Sequence, residues 1–188
     1  RPEWLLILGD LFDHWIGDDL INSDRKDAFA NIIYKLKRCF LTLKSLNISV
    51  GIMHGNRDFL MGDQLLKHLH ARQLNNLVKL RSLEKKKDIL LLHGDELCTD
   101  DTKHQIFRKL VKTSEWQEKF KSKPIDERQK IAKSLRNQSE TEKAKKAMEI
   151  MDINPNSADI FLANNNADVL IHGHTHLPGR NTFPSGKD

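Results

Sequence analysis

Four short apolar runs in this chain each stop at a side chain able to hold a metal ion. Val169-Leu170-Ile171 stops at His172-Gly173-His174-Thr175-His176, and Leu5-Leu6-Ile7-Leu8 stops at Gly9-Asp10. Val50-Gly51-Ile52-Met53 stops at His54-Gly55-Asn56-Arg57-Asp58, and Ile89-Leu90-Leu91-Leu92 stops at His93-Gly94-Asp95. Carboxylate, carboxamide oxygen and imidazole, without thiolate, suit Mn²⁺, Fe²⁺, Co²⁺ or Zn²⁺. Asp10 can bridge two cations, with Asn56, His93, His174 and His176 divided between them. Two-metal sites of this kind act on phosphoesters. Arg57 beside cations is electrostatically reasonable only if an anion binds there too, and a phosphate would do so. Its charge would then oppose the negative charge that develops on the non-bridging oxygens. The chain shows no Ser-His-Asp or Cys-His nucleophile pattern, no Walker loop and no GxGxxG.

These side chains are far apart in sequence, so strand ends must bring them together. In α/β proteins ligands gather where strands end. Trp4–Leu8 reads as a central strand, Ile48–Met53 as a second, and Val78–Leu80 and Ile89–Leu92 as a pair joined by a charged turn. His174 and His176 alternate along an extended strand exit and are expected to point the same way. Residues 25–43 carry the 3.6-residue stripe Phe29, Ile32, Ile33, Leu36, Phe40 and Leu43, expected to be core. A short helix spans Gln64–His70. Asp13 and His14 are candidates for supporting roles behind the ligands, whereas Asp18 and Asp19 suit capping and solvation.

From residue 102 to 152 the chain changes in kind, to basic helical pieces at Gln105–Val111, Glu115–Phe120, Ile125–Leu135 and Lys143–Met151. Asp101 is placed to cap the first of them. Between Lys103 and Lys146 there are 14 Lys and Arg against 6 Asp and Glu, a net +8 that leaves −3 for the rest of a +5 chain. The excess points to an anionic partner there (nucleic acid, phosphorylated ligand or anionic membrane surface) or to a solvated helical face. Ser139, Lys143 and Lys146 share one helical face, which suits a phosphate and equally a plain lysine-rich surface. A last helix runs from Asn156 to Asn164.

The chain has 188 residues, room for one domain carrying an insertion. No apolar run approaches the roughly 20 residues of a membrane-spanning helix. Arg1-Pro2-Glu3-Trp4 leads directly into a strand. Cys39 and Cys98 are the only cysteines, fit a reducing cytoplasm, and are expected to be buried bystanders.

The set Gly9-Asp10, Gly55-Asn56-Arg57-Asp58, His93 and Gly173-His174-Thr175-His176 resembles the calcineurin-like metallophosphoesterases. The stretches LGDLFDHWIGDD, HGNRDFLMG, LLHGDELCTDD, IMDINP and LIHGHTHLPG are similar to the UDP-2,3-diacylglucosamine hydrolase family of lipid A biosynthesis, over nearly the whole chain. The resemblance implies an α/β sandwich of mixed sheets flanked by helices, with the helices at about 102–152 inserted as a lid that shelters acyl chains. It implies hydrolysis of UDP-2,3-diacylglucosamine to 2,3-diacylglucosamine 1-phosphate (lipid X) and UMP. The cofactor would be Mn²⁺, two ions per site, and the location peripheral, on the cytoplasmic face of the bacterial inner membrane. Metal positions map onto Asp10, Asn56, His93, His174 and His176. Substrate positions map onto Asn56, Arg57, Asp101, Ser139, Lys143, Lys146 and His174. Asp10, Asn56, Arg57 and His174 would carry the chemistry.

The family begins with a strand and an Asp-x-His motif that this chain does not contain, and it continues with further strands after Gly179. The chain is therefore expected to be a fragment truncated at both ends, with one metal short of ligands and turnover weak or absent. The rival expectations are another dinuclear-metal phosphodiesterase, nuclease-like through the basic segment, or a non-catalytic metal-binding fragment.

Overall fold

Two three-stranded sheets carry the site. The structure, a computed structural model, describes residues 1–22, 28–143 and 152–187. In the first sheet β1 (Trp4–Ile7), β2 (Ser49–Ile52) and β3 (Arg72–Gln73) lie parallel in that order. Parallel neighbours need a crossover, supplied by α1 (Ala28–Ser45) and α2 (Asp63–His68). The second sheet runs β4 (Leu77–Ser82), β5 (Lys87–Leu92), β6 (Val169–His172), with β4 antiparallel and β6 parallel to β5. Mixed sheets flanked by helices are thus present as expected. β1, expected to be central, pairs with β2 alone among the described residues. The two-residue β3 carries too little pattern to be read from sequence.

The register levels the strand ends. Ile7 lies opposite Ile52, and Leu92 opposite His172. The sheets meet at those ends, where His93 Nδ1 lies 2.8 Å from the carbonyl of Leu8.

Ile33, Phe40, Val50, Ile52 and Leu65 pack in a core on the first sheet. Leu90, Leu92, Ala158, Leu162 and Leu170 form a core between the second sheet and the helix Pro155–Asn164. Burying one such aliphatic side chain stabilises the fold by about 1.5–3 kcal/mol. The α1 stripe is core at Ile33 and Phe40, but Ile32 is exposed. Cys39, expected in the core, is exposed as well. Cys98 is buried beside Gly94, and burial pushes its thiol up to about 12.

Between β5 and β6 the chain forms α3 (Thr102–Val111), α4 (Ser114–Lys121), α5 (Ile125–Lys143) and α6 (Pro155–Asn164). Three of these starts are capped by side chains. Asp101 accepts from the His104 amide (3.1 Å), Thr113 from Trp116 (3.3 Å) and Asn154 from Ser157 (2.9 Å). The helical piece expected at Lys143–Met151 lies, past Lys143, outside the described residues, and so does Lys146.

α4 and α5 join the first core. Phe120 is buried there, with Trp116 stacked on it at 4.9 Å between ring centroids. In α5 the Arg128 side chain is buried. Its Nη1 donates to the Ile16 carbonyl and to Asp19 Oδ1 (2.9 Å), and Nη2 pairs with Asp19 Oδ2. The guanidinium holds the Asp19 carboxyl below its usual range. Arg128→Met strips the donor from a buried carbonyl, a loss of about 1–3 kcal/mol. It should lower Tm by several degrees, at about 2–4 °C per kcal/mol for a chain of this size. A thermal melt within about 1 °C of the parent protein would show that this seam holds without the arginine.

Candidate metal centre

Asp10 stands three residues past Ile7, directly after Gly9. Both have left-handed backbones, with φ +88° at Gly9 and +53° at Asp10. A Cβ on Gly9 would lie 2.6 Å from His93 Nδ1, so the residue before the carboxylate must be glycine. The loop after β2 passes closer still. A Cβ on Gly55 would lie 2.1 Å from Asp10 Oδ1.

Asp58 ties these two loops together. It is fully buried. Its carboxylate accepts from the amides of Gly55 (2.8 Å), Asp10 (3.3 Å) and Phe12 (3.4 Å). Burial pushes its carboxyl up and the neighbouring Asp10 charge adds to this, while the amides oppose. In return, Asp10 Oδ1 accepts from the Arg57 amide at 3.0 Å.

Asp10, His93 and His174 each offer a ligand atom, and these atoms lie within 4.8 Å of one another. His93 Nε2 is 3.7 Å from Asp10 Oδ1 and 3.0 Å from Asn56 Oδ1. His174 Nδ1 is 2.9 Å from the same Asn56 oxygen, and the two rings meet edge-on at 5.1 Å. The Leu8 carbonyl can only accept, so the proton of a neutral His93 belongs on Nδ1. Nε2 then aims a bare lone pair at two oxygens. Lone pairs converging on one point repel unless a cation sits among them. A backbone carbonyl fixing the far nitrogen is also the usual support of a metal-bound histidine. The donor set therefore fits a divalent cation.

The strand exit after β6 is not extended. His174 (φ +65°) and His176 (φ +58°) both take left-handed backbones, which side chains other than glycine adopt mainly in turns and at strained sites. The two histidines therefore do not share a strand face. His174 joins the cluster, whereas His176 is exposed at the cavity rim, outside the three-residue group.

Arg57 lies between two carboxylates, with Nε 3.5 Å from Asp10 Oδ2 and Nη1 3.4 Å from Asp13 Oδ1. Asp13 also pairs with Arg136 of α5 at 2.7 Å. That hydrogen bond holds the Asp13 carboxyl below its usual range. His14 packs edge-on against Phe29, and burial pulls its imidazole down. Asp18 caps α2 from a distance, accepting from Gly62 and Leu65 amides at 3.0 Å each.

Asp10, Asp13, His14, Asn56, Arg57 and His174 line one cavity of about 480 Å³. Its floor is polar, with Asp10, Asn56, Arg57 and His174. Its walls are apolar, including Ile16, Phe59, Phe107, Trp116, Phe120 and Leu135. Asp101 and Ser139, both expected at the site, also line it. Lys143 ends the described helix α5.

Sequence reading missed one group. Asp95 is buried, and its Oδ2 pairs with Arg108 Nε at 2.7 Å. Burial would raise its carboxyl, but a hydrogen bond from Glu96 and the Arg108 charge hold it at about 2. His104 stands beside it. The one local hint was that His104 and Arg108 follow Asp101 at helical spacing, and α3 reads as merely basic.

The calcineurin-like phosphoesterase family matches residues 1–178 of the chain. A UDP-2,3-diacylglucosamine hydrolase of Bordetella pertussis is 41% identical over 179 residues, covering 95% of this chain and 66% of its own length. One from Chromohalobacter salexigens is 37% identical over 183 residues, 97% of this chain and 70% of the relative. One from Histophilus somni is 40% identical over 181 residues, 94% and 71% respectively. The chain thus spans about two thirds of the length of the relatives it matches.

Proposed function

Since the chain belongs to the calcineurin-like phosphoesterases, and among them to the UDP-2,3-diacylglucosamine hydrolases, we propose that it contributes the catalytic floor and lipid chamber for that reaction. Water adds to a phosphorus of the diphosphate, the P–O–P bond breaks, and UMP leaves 2,3-diacylglucosamine 1-phosphate. One observation carries this reading: a carboxylate and two imidazoles converge within 4.8 Å at the foot of an apolar-walled cavity. A lipid diphosphate needs both halves.

Asp10, His93, His174 and Asn56 would hold Mn²⁺, with His176 joining from the rim. Bound there, a pair of ions supplies Lewis acidity to water and to the phosphoryl group. The protein's own part is positional. Asp58 fixes the two loops that carry Asp10 and Asn56. Arg57, pre-oriented by Asp10 and Asp13, receives the diphosphate oxygens. Asp101, Ser139, Lys143 and Lys146 bind the sugar and phosphates. α3 to α5, within residues 102–152, form a lid, and its apolar residues take the acyl chains. The basic lid faces the anionic cytoplasmic surface of the inner membrane as a peripheral contact. No helix among the described residues is long and apolar enough to cross a membrane.

The direct assay follows UMP and lipid X release from UDP-2,3-diacylglucosamine with Mn²⁺; no release from any version of the protein that binds Mn²⁺ would sink the proposal. A phosphate monoester is a good leaving group, so the site needs a fixed cation more than a proton donor. Arg57→His should therefore lower kcat by about 10²-fold, the usual loss for one transition-state donor. Undiminished turnover would refute this role for Arg57.

A further inference from the structure

We infer that His104 is a positioning residue: its ring packs on the His174 imidazole and holds that ligand aimed at Asn56 and Asp10, with α3 clamped in place by Asp95. His174 needs such support. It sits past the end of β6, in no regular element, with a left-handed backbone at φ +65°. Its ring is flanked on two sides. His93 meets it edge-on at 5.1 Å, and His104 lies tilted by 34° at 5.2 Å between centroids.

His104 is itself placed by a built anchor. Asp95 holds α3 through two hydrogen bonds, to Arg108 and Gln105, with His104 Nε2 close by but not bonded to it. Its Oδ2 takes Arg108 Nε at 2.7 Å and lies 4.0 Å from His104 Nε2, and its carbonyl takes Gln105 Nε2 at 2.7 Å. Asp95 is buried and lies two residues past His93 in the chain. The helix face at 101, 104 and 108 thus joins the cap, the ring contact and the anchor. Through it, the first helix of the 102–152 segment touches the metal cluster. The two rings approach centroid to centroid at 5.2 Å, so a plain aromatic ring is expected to serve there without a proton or lone pair.

The inference rests on the metal-site reading for its effect on affinity, but not for its effect on the ring. Mn²⁺ affinity by titration calorimetry, Tm, and the NMR line shape of the metal-free His174 ring should be measured for His104→Ala and His104→Phe. His104→Ala is expected to weaken Mn²⁺ binding by about 10–100-fold, the usual loss for an outer support of a ligand, and to broaden the metal-free His174 ring signals. His104→Phe should stay within about threefold in affinity and keep those signals sharp, well short of the loss expected for the alanine variant. Equal damage from both variants overturns the inference, because the nitrogen would then matter rather than the ring. So does an alanine variant with unchanged ring signals. If no variant, parent included, binds Mn²⁺, the metal reading falls while the ring signals still decide for or against His104.

Discussion

Asp10→Asn should lower the proposed hydrolysis of UDP-2,3-diacylglucosamine by about 10³-fold or more while leaving the fold intact. Lewis-acid stabilisation is worth several kcal/mol, and each 1.36 kcal/mol is about tenfold in rate. Asp10 is the one carboxylate in the Asp10–His93–His174 cluster. Removing its charge leaves two neutral imidazoles and amide oxygens, too weak to gather divalent cations closely. The substitution is otherwise mild. Asn keeps an oxygen for the Arg57 amide, which now donates to Asp10 Oδ1 at 3.0 Å. Asn is also among the few residues that accept the left-handed backbone Asp10 adopts, φ +53°. The loss should therefore appear in kcat and in Mn²⁺ affinity, with Tm nearly unchanged. A variant within about tenfold of parental turnover would mean that Asp10 does not hold the ions, since tenfold is only about 1.4 kcal/mol.

What the sequence made legible was the part encoded locally. An apolar run followed by glycine and a polar residue marks a strand end, and parallel register then levels those ends. That reasoning reached Asp10, Asn56, His93 and His174, which do converge. It failed where the determinant is a contact across the chain. Asp58 looks like one more loop acid in Asn56-Arg57-Asp58, yet it accepts amides 46 and 48 residues away. His104 is hidden in a basic helix because its partners, Asp95 and His174, come from a different loop and strand exit. His174 and His176 misled because alternation implies an extended backbone, and both φ angles are positive. Ile32 and Cys39 show the limit of periodicity as well. Both sit on α1, but the face buried against the first sheet is narrower than the apolar stripe.

Gly55→Ala should destroy the site and destabilise the domain together, for a reason unrelated to backbone freedom. The obstacle is space. An added Cβ would lie 2.1 Å from Asp10 Oδ1, 2.4 Å from the Asp10 amide nitrogen and 2.8 Å from its Cγ. None of these neighbours is the free end of a flexible chain. The Asp10 amide bonds to Asp58, and Asp10 Oδ1 is held by the Arg57 amide. On the other side, Gly9 is already so close that its own Cβ would stand 2.7 Å from Gly55 Cα. The two loops must part by about 1 Å, and displacements of that size cost about 10²-fold in rate when they move a reacting group. Parting also weakens the amide bonds to the buried Asp58 carboxylate, each worth about 1.5–3 kcal/mol. Losing two of them should lower Tm by about 10 °C. Gly179→Ala is the control, with nothing within 4 Å of its added Cβ, and it should melt with the parent. If Gly55→Ala also melts with the parent and retains turnover, the loops do not approach as described, and the convergence of Asp10 with Asn56 loses its structural basis.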